Sequence, residues 1–255
     1  MKAPAEHPGI FAEPPVKLVV AQLRFERHEE VREPAFARRF SSLVGEGFSS
    51  IEQANVRQIT ASPAGVVAED RESGWAFQSE SGEKFVILES SAAYESTAYA
   101  GWDAFRSQLL SLLDAVEDSI QPATEQRIGL RYIDQLSTPD GVAARWHGFV
   151  RDEVLGPLLH SDLGGDVTSI EQRVVFAFGD GSSCLLRHGY SLDPQLQGGY
   201  LLDTDVSRET KAVYDRERVR ASFEEFHARS KAVFFGCLTD EYLEQLRLGA
   251  DIALA

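Results

Sequence analysis

One histidine and two aspartates lie at spacings that a pair of antiparallel strands would bring together. If the chain forms a hairpin about a loop at 193–197, His188 faces Asp203, and Asp205 points to the same side. A carboxylate beside an imidazole raises the pKa of the ring and fixes its tautomer, as a general base or a metal ligand requires. The spacing therefore indicates a His/Asp site on the second half of the chain.

A shift of one residue in this register changes the chemistry. In the shifted register Arg187 faces Asp203, because neighbouring residues of a strand point to opposite sides of the sheet. For His188 and Asp203 themselves, the interpretation we favour is an ordinary cross-strand pair without a functional role. His188, Asp203 and Asp205 are candidate catalytic residues only under the second of the functional hypotheses given below.

Two arginines form another candidate site. Arg24 and Arg131 each stand in a Leu-Arg-aromatic tripeptide, and Tyr132 follows the second. These three residues are our candidate ligand-binding residues, because guanidinium groups bind carboxylates and phosphates with a fork of donors. The alternative is that each arginine neutralises a buried acid of the chain itself, for instance Glu89 or Asp203.

Motifs of phosphate, dinucleotide and zinc chemistry are missing from the sequence. It contains no Gly-rich phosphate loop with Lys-Ser/Thr, no GxGxxG, no HExxH, no CxxC and no GxSxG. We therefore expect no cofactor and no bound metal.

Composition narrows the class of partner. The 40 acidic and 25 basic residues give a formal net charge of −15, which opposes nucleic-acid binding and favours a basic partner. No stretch reaches the roughly 18 apolar residues of a membrane span. Residues 1–15 lack the apolar run of a signal peptide, and two cysteines are few for a secreted disulfide framework. We predict a cytoplasmic protein that binds neither nucleic acid nor membrane.

Hydrophobic periodicity places the candidate residues on a repeated pattern of elements. In the first half it predicts strands at 16–25, 56–69 with an interruption at Ser62-Pro63, 75–80 and 85–99, and helices at 34–47 and 101–120. Glycine-bearing turns are expected at Ser73-Gly74 and Ser81-Gly82. In the second half it predicts strands at 124–136, 169–178, 184–191 and 199–207, and helices at 146–156 and 215–235.

Both halves therefore follow the order β-α-β-β-β-α, which indicates an internal duplication. The predicted fold class is α+β, with the duplicated units forming one large, mostly antiparallel sheet of eight strands and helices packed on one face. We place a flexible leader at 1–15, the halves at 16–121 and 122–246, packed as one unit, and a tail at 247–255.

Several segments resemble a sporadically distributed bacterial family of unknown function. They are Pro14-Pro15-Val16, Gln22-Leu23-Arg24-Phe25, Gly101-Trp102-Asp103-Ala104-Phe105 and Arg127-Ile128-Gly129-Leu130-Arg131-Tyr132-Ile133. The resemblance covers nearly the whole chain, although Asp134 stands where that family would have Asn. It implies an intracellular bacterial protein with one whole-chain fold, and it implies no reaction, cofactor or catalytic residue.

The leading hypothesis is a non-catalytic binding or accessory protein that engages a protein or peptide partner through a cleft or a sheet edge. The alternative is a small-molecule-binding protein or enzyme that uses the His/Asp site. A homodimer is a further possibility, through exposed strand edges at Val16–Phe25 or Gly199–Ser207.

Overall fold

A computed structural model describes most of the chain. The described residues are 11, 14–45, 47–62, 65–137, 146–156, 168–191 and 199–248. Most of the expected leader at 1–15, most of the expected tail at 247–255, and the expected loop at 193–197 lie outside them.

Strands and helices alternate in groups along the described ranges. The strands are β1 (Val16–Phe25), β2 (Ser50–Ser62), β3 (Gly65–Gln78), β4 (Glu83–Leu88), β5 (Ser91–Ser96), β6 (Thr124–Leu136), β7 (Ser169–Ala177), β8 (Ser183–Ser191) and β9 (Tyr200–Val213). The helices are α1 (Pro34–Val44), α2 (Trp102–Ser119), α3 (Asp152–Leu155), α4 (Arg216–Cys237) and α5 (Asp240–Leu248), with a 3₁₀ turn at Glu29–Arg32.

All nine strands belong to one antiparallel sheet, in the order β2-β3-β4-β5-β1-β6-β9-β8-β7. The registers that are described, such as β1 with β5 and β7 with β8, are antiparallel. The predicted α+β class with one large antiparallel sheet is confirmed.

The number of strands differs from the prediction because the segment 85–99 is two strands. A turn at Glu89-Ser90 separates β4 from β5, so the sheet has nine strands where eight were predicted. The turn contains neither glycine nor proline. The continuous apolar pattern on both sides of it therefore concealed the break.

Ser73-Gly74 was predicted as a turn and lies inside β3. Gly74 pairs with Leu88 of β4, and a Cβ atom there would lie 2.0 Å from the carbonyl oxygen of Ile87. Glycine is needed at this position because two strands approach closely. The hairpin between β2 and β3 turns instead between Ser62 and Gly65.

The helix predicted at 146–156 is mostly not helical. Only the four residues of α3 are α-helical. His147 and Val150 form an isolated β-bridge with each other, and Val150 forms another with Leu238. The apolar spacing here comes from a turn that packs into the core. Conversely, the sequence pattern did not identify α5.

The two strands proposed as exposed edges lie inside the sheet. β1 stands between β5 and β6, and β9 stands between β6 and β8. That prediction is wrong, because apolar density marks strands that are covered by neighbours and not strands at an end. The strands at the ends of the order are β2 and β7.

The described chain divides into two compact units, each built from several segments. One unit comprises Met1–Lys17, Arg131–Val206 and Glu225–Ala255, and the other comprises Leu18–Leu130 and Ser207–Glu224.

Aromatic side chains form the core of the unit that contains β1 to β5. Phe40 of α1 packs on Phe77 of β3, with ring centroids 5.3 Å apart, and Phe105 of α2 packs on Tyr94 of β5 at 4.6 Å. Phe77 and Tyr94 are both cross-strand partners of Phe85. In this unit, α1 and α2 therefore cover the same face of the strands.

The other unit has its own apolar core, in which Trp146 packs against Tyr200 at 5.2 Å. Most of its buried members come from β6, β8, β9, α3, α4 and α5. They include Leu136, Leu155, Leu186, Tyr190, Leu202, Phe235, Tyr242 and Leu243, and Leu238 joins them from the segment between α4 and α5. Among the described residues of the whole chain, no helix is both long and apolar enough to cross a membrane.

The close approach at Gly74 gives a test of the β3–β4 pairing. Gly74→Ala should lower the free energy of unfolding by about 2 kcal/mol, because the added methyl group must push the two strands apart. Urea denaturation measures this change. Gly236→Ala is the matched control, because that exposed position in α4 has open space around it, and this change should raise stability by up to about 1 kcal/mol. Equal effects of both substitutions would contradict the register.

Candidate functional site

A buried carboxylate bound by two arginines lies on β6, β8 and β9. Arg131 donates from Nε to Oδ1 of Asp203 at 2.6 Å and from Nη2 to Oδ2 at 2.8 Å. Arg187 donates from Nη1 to Oδ2 at 3.0 Å. Asp203 is 3% exposed, whereas the two guanidinium-bearing side chains are about two-fifths exposed.

This cluster has the chemistry of a neutralised acid. The hydrogen bond to Asp203 raises the pKa of Arg131, and the nearby Asp205 contributes in the same direction. Both oxygens of Asp203 accept charge-assisted hydrogen bonds, so the carboxylate is engaged by the two arginines. The alternative in which Arg131 neutralises Asp203 is therefore the one observed.

The contacts of Asp203 show which residue of β8 lies beside it. Arg187 contacts it, as in the shifted register, and the pairing of His188 with Asp203 is not the one observed. The reason is the alternation of side chains, which puts Arg187 and His188 on opposite faces of β8.

His188 instead lies among core side chains. It is 4% exposed, and its Nδ1 is 2.8 Å from the hydroxyl oxygen of Tyr200. Burial lowers the pKa of His188, so the neutral imidazole is favoured. An imidazole in this position stabilises the packing around Tyr200 and does not face a carboxylate.

Tyr132 lies on the opposite face of β6 from Arg131, because consecutive residues alternate. Its hydroxyl oxygen is 2.9 Å from Nδ1 of His227 in α4. Tyr132 and Arg131 therefore do not share one ligand site. No sequence pattern indicates this tyrosine–histidine contact, because a lone histidine after an apolar residue on a helix is typical of a surface or packing residue.

Arg24 is exposed on β1 and pairs with Ser91 of β5 across the strands. Glu89, the acid proposed as its structural partner, is 2% exposed and is bound by Arg27 and Arg32 instead.

Glu89 anchors the turn between β4 and β5. Arg27 Nη2 is 2.9 Å from Oε2, Arg32 Nε is 3.0 Å from Oε1, and the Ser73 amide donates to Oε2 at 3.2 Å. Burial by itself raises the pKa of Glu89, but these hydrogen bonds outweigh burial and hold the pKa below its ordinary value. A structural role for Glu89 follows.

Asp134 is another buried acid, and no ion pair with an arginine is found for it among the described residues. It is 3% exposed on β6, and burial raises its pKa to about 7. The sequence singled it out only because the resembled family would have Asn there. No group of three His, Cys, Asp or Glu side chains suited to a metal ion occurs among the described residues.

Comparison with protein-family models gave no match, and comparison with curated protein sequences gave none either. The resemblance inferred from the sequence motifs stays a prediction.

The raised pKa of Asp134 predicts how stability depends on pH. The folded state binds its proton more tightly than the unfolded state, so this group makes the protein less stable as pH rises from about 4 to about 7. Asp134→Asn removes the titration. The variant should match the wild type near pH 4 and exceed it at pH 8 by a few kcal/mol, on the order expected for such a shift. Urea midpoints across this range measure the gap.

Asp118→Asn is the control for that experiment, since Asp118 is an exposed carboxylate on α2. It should leave the stability curve parallel to that of the wild type. A constant difference between Asp134→Asn and the wild type across the whole pH range would contradict the assignment.

The Arg131–Asp203 pair predicts energetic coupling. In a double-mutant cycle of Arg131→Met and Asp203→Asn, we expect a coupling of about 1–2 kcal/mol, because the carboxylate is buried although the arginine is partly exposed. The exposed pair Arg151–Asp240, 3.1 Å apart, should give less than about 0.5 kcal/mol. Equal couplings in the two cycles would argue against a structural role for Asp203.

Proposed function

We propose that the protein is a non-catalytic binding or accessory protein, and that it engages an extended segment of a protein partner at the edge strand β7. The observation that carries this proposal is the position of β7 at the end of the sheet order. Among the described residues it pairs with β8 alone. Its outer row of N–H and C=O groups is then available to another strand, as in β-strand addition.

The side chains of β7 support the same use. Val174, Val175 and Phe176 are consecutive apolar residues and are 38%, 54% and 38% exposed. Folded proteins usually protect an exposed apolar edge, because it invites pairing with other chains. An added strand would supply backbone hydrogen bonds and cover these side chains on both faces.

An enzyme that uses His188, Asp203 and Asp205 is less well supported. Such an enzyme needs the imidazole beside the carboxylate, whereas Asp203 is bound by Arg131 and Arg187 and His188 meets Tyr200. We therefore do not propose a reaction.

The net charge of the chain bears on the kind of partner that it favours. The net charge of −15 favours a basic segment over an acidic one through long-range attraction.

Cys184 and Cys237 are free and buried, and burial raises the pKa of both thiols to about 12. Free cysteines fit a reducing compartment, and we propose the cytoplasm.

We also propose that the two halves arose by duplication, with their helices on the same face of the sheet. Support comes from the strand order. On one side of the sheet β1 is followed by β5, β4, β3 and β2, and on the other side β6 is followed by β9, β8 and β7. In each half, the first strand is therefore followed by the other strands in reverse chain order. The Leu-Arg-aromatic tripeptides of Arg24 and Arg131 stand on the two strands that begin these series.

A charge placed on the edge strand tests the binding proposal. Val175→Lys should lower recovery of partner protein from a lysate of the source organism by at least roughly 10-fold, because a lysine on a strand edge opposes pairing. Val213→Lys is the matched control, since Val213 is 77% exposed at the end of β9. Quantitative mass spectrometry of proteins retained by each immobilised variant gives the comparison.

Proteins that bind through β7 are retained by the wild type and by Val213→Lys and lost from Val175→Lys. If both lysine variants retain the same proteins as the wild type, or if the wild type retains nothing above the bare resin, the proposal fails.

A further inference from the structure

We propose that the strand added to β7 is β7 of a second copy of this chain, in an antiparallel pair related by a twofold axis. This inference rests on the proposed function, because it names the partner of the same edge. It also specifies one register, in which Gln172 faces Gln172 of the second copy.

Symmetry limits the possible registers. A twofold axis perpendicular to the sheet makes one residue of an antiparallel pair face its own copy, and every other residue then faces the residue at the mirrored position. With the axis at Gln172, Glu171 faces Arg173 and Ile170 faces Val174. By symmetry each of these pairs occurs twice.

Charge selects this register from its neighbours. With the axis at Gln172, two Glu171–Arg173 pairs of opposite charge form across the dimer. With the axis at Arg173, that arginine faces its own copy, and with the axis at Glu171, two glutamates face each other. Like charges directly opposite each other destabilise a strand pair. The sequence of β7 is therefore complementary to itself about Gln172.

Pairing within the chain leaves both of these charges in need of a partner. Arg173 lies directly across from Arg187 of β8, and Glu171 lies across from Gly189, which has no side chain. No salt bridge between described residues involves Glu171 or Arg173. Arg187 is itself bound by Asp203, and a carboxylate supplied by a second β7 would give Arg173 a partner of its own.

The apolar residues fit the same arrangement. Ile170 and Val174 lie on one face of β7, so the two Ile170–Val174 pairs would flank Gln172 on that face. Val175 would face Ser169 on the opposite face. The strand carries one acid and one base, so the contact itself is neutral, although each chain has a net charge of −15.

Long-range repulsion between two acidic chains limits the affinity of such a dimer. Charges farther apart than about 8 Å are largely screened at physiological ionic strength, and a single strand pair buries a small interface. We therefore expect a reversible dimer whose population rises with protein concentration.

Charge reversal with restoration tests the register. Glu171→Arg places arginine opposite arginine, and Arg173→Glu places glutamate opposite glutamate, so each single change should weaken the dimer at least roughly 10-fold. The double swap Glu171→Arg/Arg173→Glu re-forms both pairs and should restore it. Sedimentation velocity over a concentration series measures the dissociation constants.

We expect Arg173→Glu to remain folded, so that a loss of the dimer in this variant reports on the interface. The new glutamate faces Arg187 within the chain, which removes a like-charge contact. The thermal unfolding midpoint of this variant should therefore be at least as high as that of the wild type.

A cysteine at the axis provides a second test of register. Gln172→Cys places two thiols on facing residues, whose Cα atoms in an antiparallel pair lie about 4.5–5.5 Å apart, within reach of a disulfide. Under mild oxidation it should cross-link into a dimer. Val175→Cys should not, because its two copies would be roughly 20 Å apart. Cys184 and Cys237 are buried and add little background.

The outcomes separate this inference from the proposed function. A wild-type chain that stays monomeric while β7-dependent capture of another protein persists overturns the self-pairing and leaves the proposed function intact. A dimer that neither single reversal weakens, or that Val175→Cys cross-links as well as Gln172→Cys, uses another surface and overturns the inference. Restoration by the double swap supports it.

Discussion

A buried carboxylate must be neutralised, and this requirement organises the structure of a chain with 40 acidic and 25 basic residues. Glu89 is bound by Arg27 and Arg32, Asp203 by Arg131 and Arg187, and Glu125 by Arg218. The Asp203 and Glu125 clusters each tie a strand to a neighbouring element, and the Glu89 cluster ties the β4–β5 turn to the segment that follows β1. The side chains that could have formed a catalytic site are thereby committed to holding the sheet together. Asp134 has no such arginine partner among the residues that the structure describes, and burial raises its pKa, which favours the protonated form.

The class of fold and most of its elements could be predicted from the sequence, because they depend on hydrophobic periodicity. The helices α1, α2 and α4 and most strands appeared near their expected positions. Errors arose where one local signal has two physical causes. Gly74 allows two strands to approach closely and does not lie in a turn. The turn at Glu89-Ser90 is fixed by the contacts of the buried Glu89 carboxylate with two distant arginines, which no local pattern indicates. The short α3 has the apolar spacing of a longer helix because its neighbours pack into the core through a turn.

The candidate site was only partly predictable, since it depends on strand parity. Residue types alone could not decide whether His188 or Arg187 meets Asp203, because a shift of one residue exchanges the two faces. Arg131 was correctly associated with Asp203 through the requirement for neutralisation. The edge of the sheet could not be predicted, because strand order depends on contacts between distant segments. Apolar density pointed to β1 and β9, which lie inside the sheet.

These observations support our proposal that the protein acts through a strand edge. Amide hydrogen exchange at several protein concentrations tests this account most directly, because strand addition protects outward-facing amides of the edge involved. The account predicts that exchange in a peptide covering β7 slows as concentration rises, while exchange in a peptide covering β2, at the other end of the sheet, does not change. Exchange in β7 that is independent of concentration and of added cell extract would contradict it.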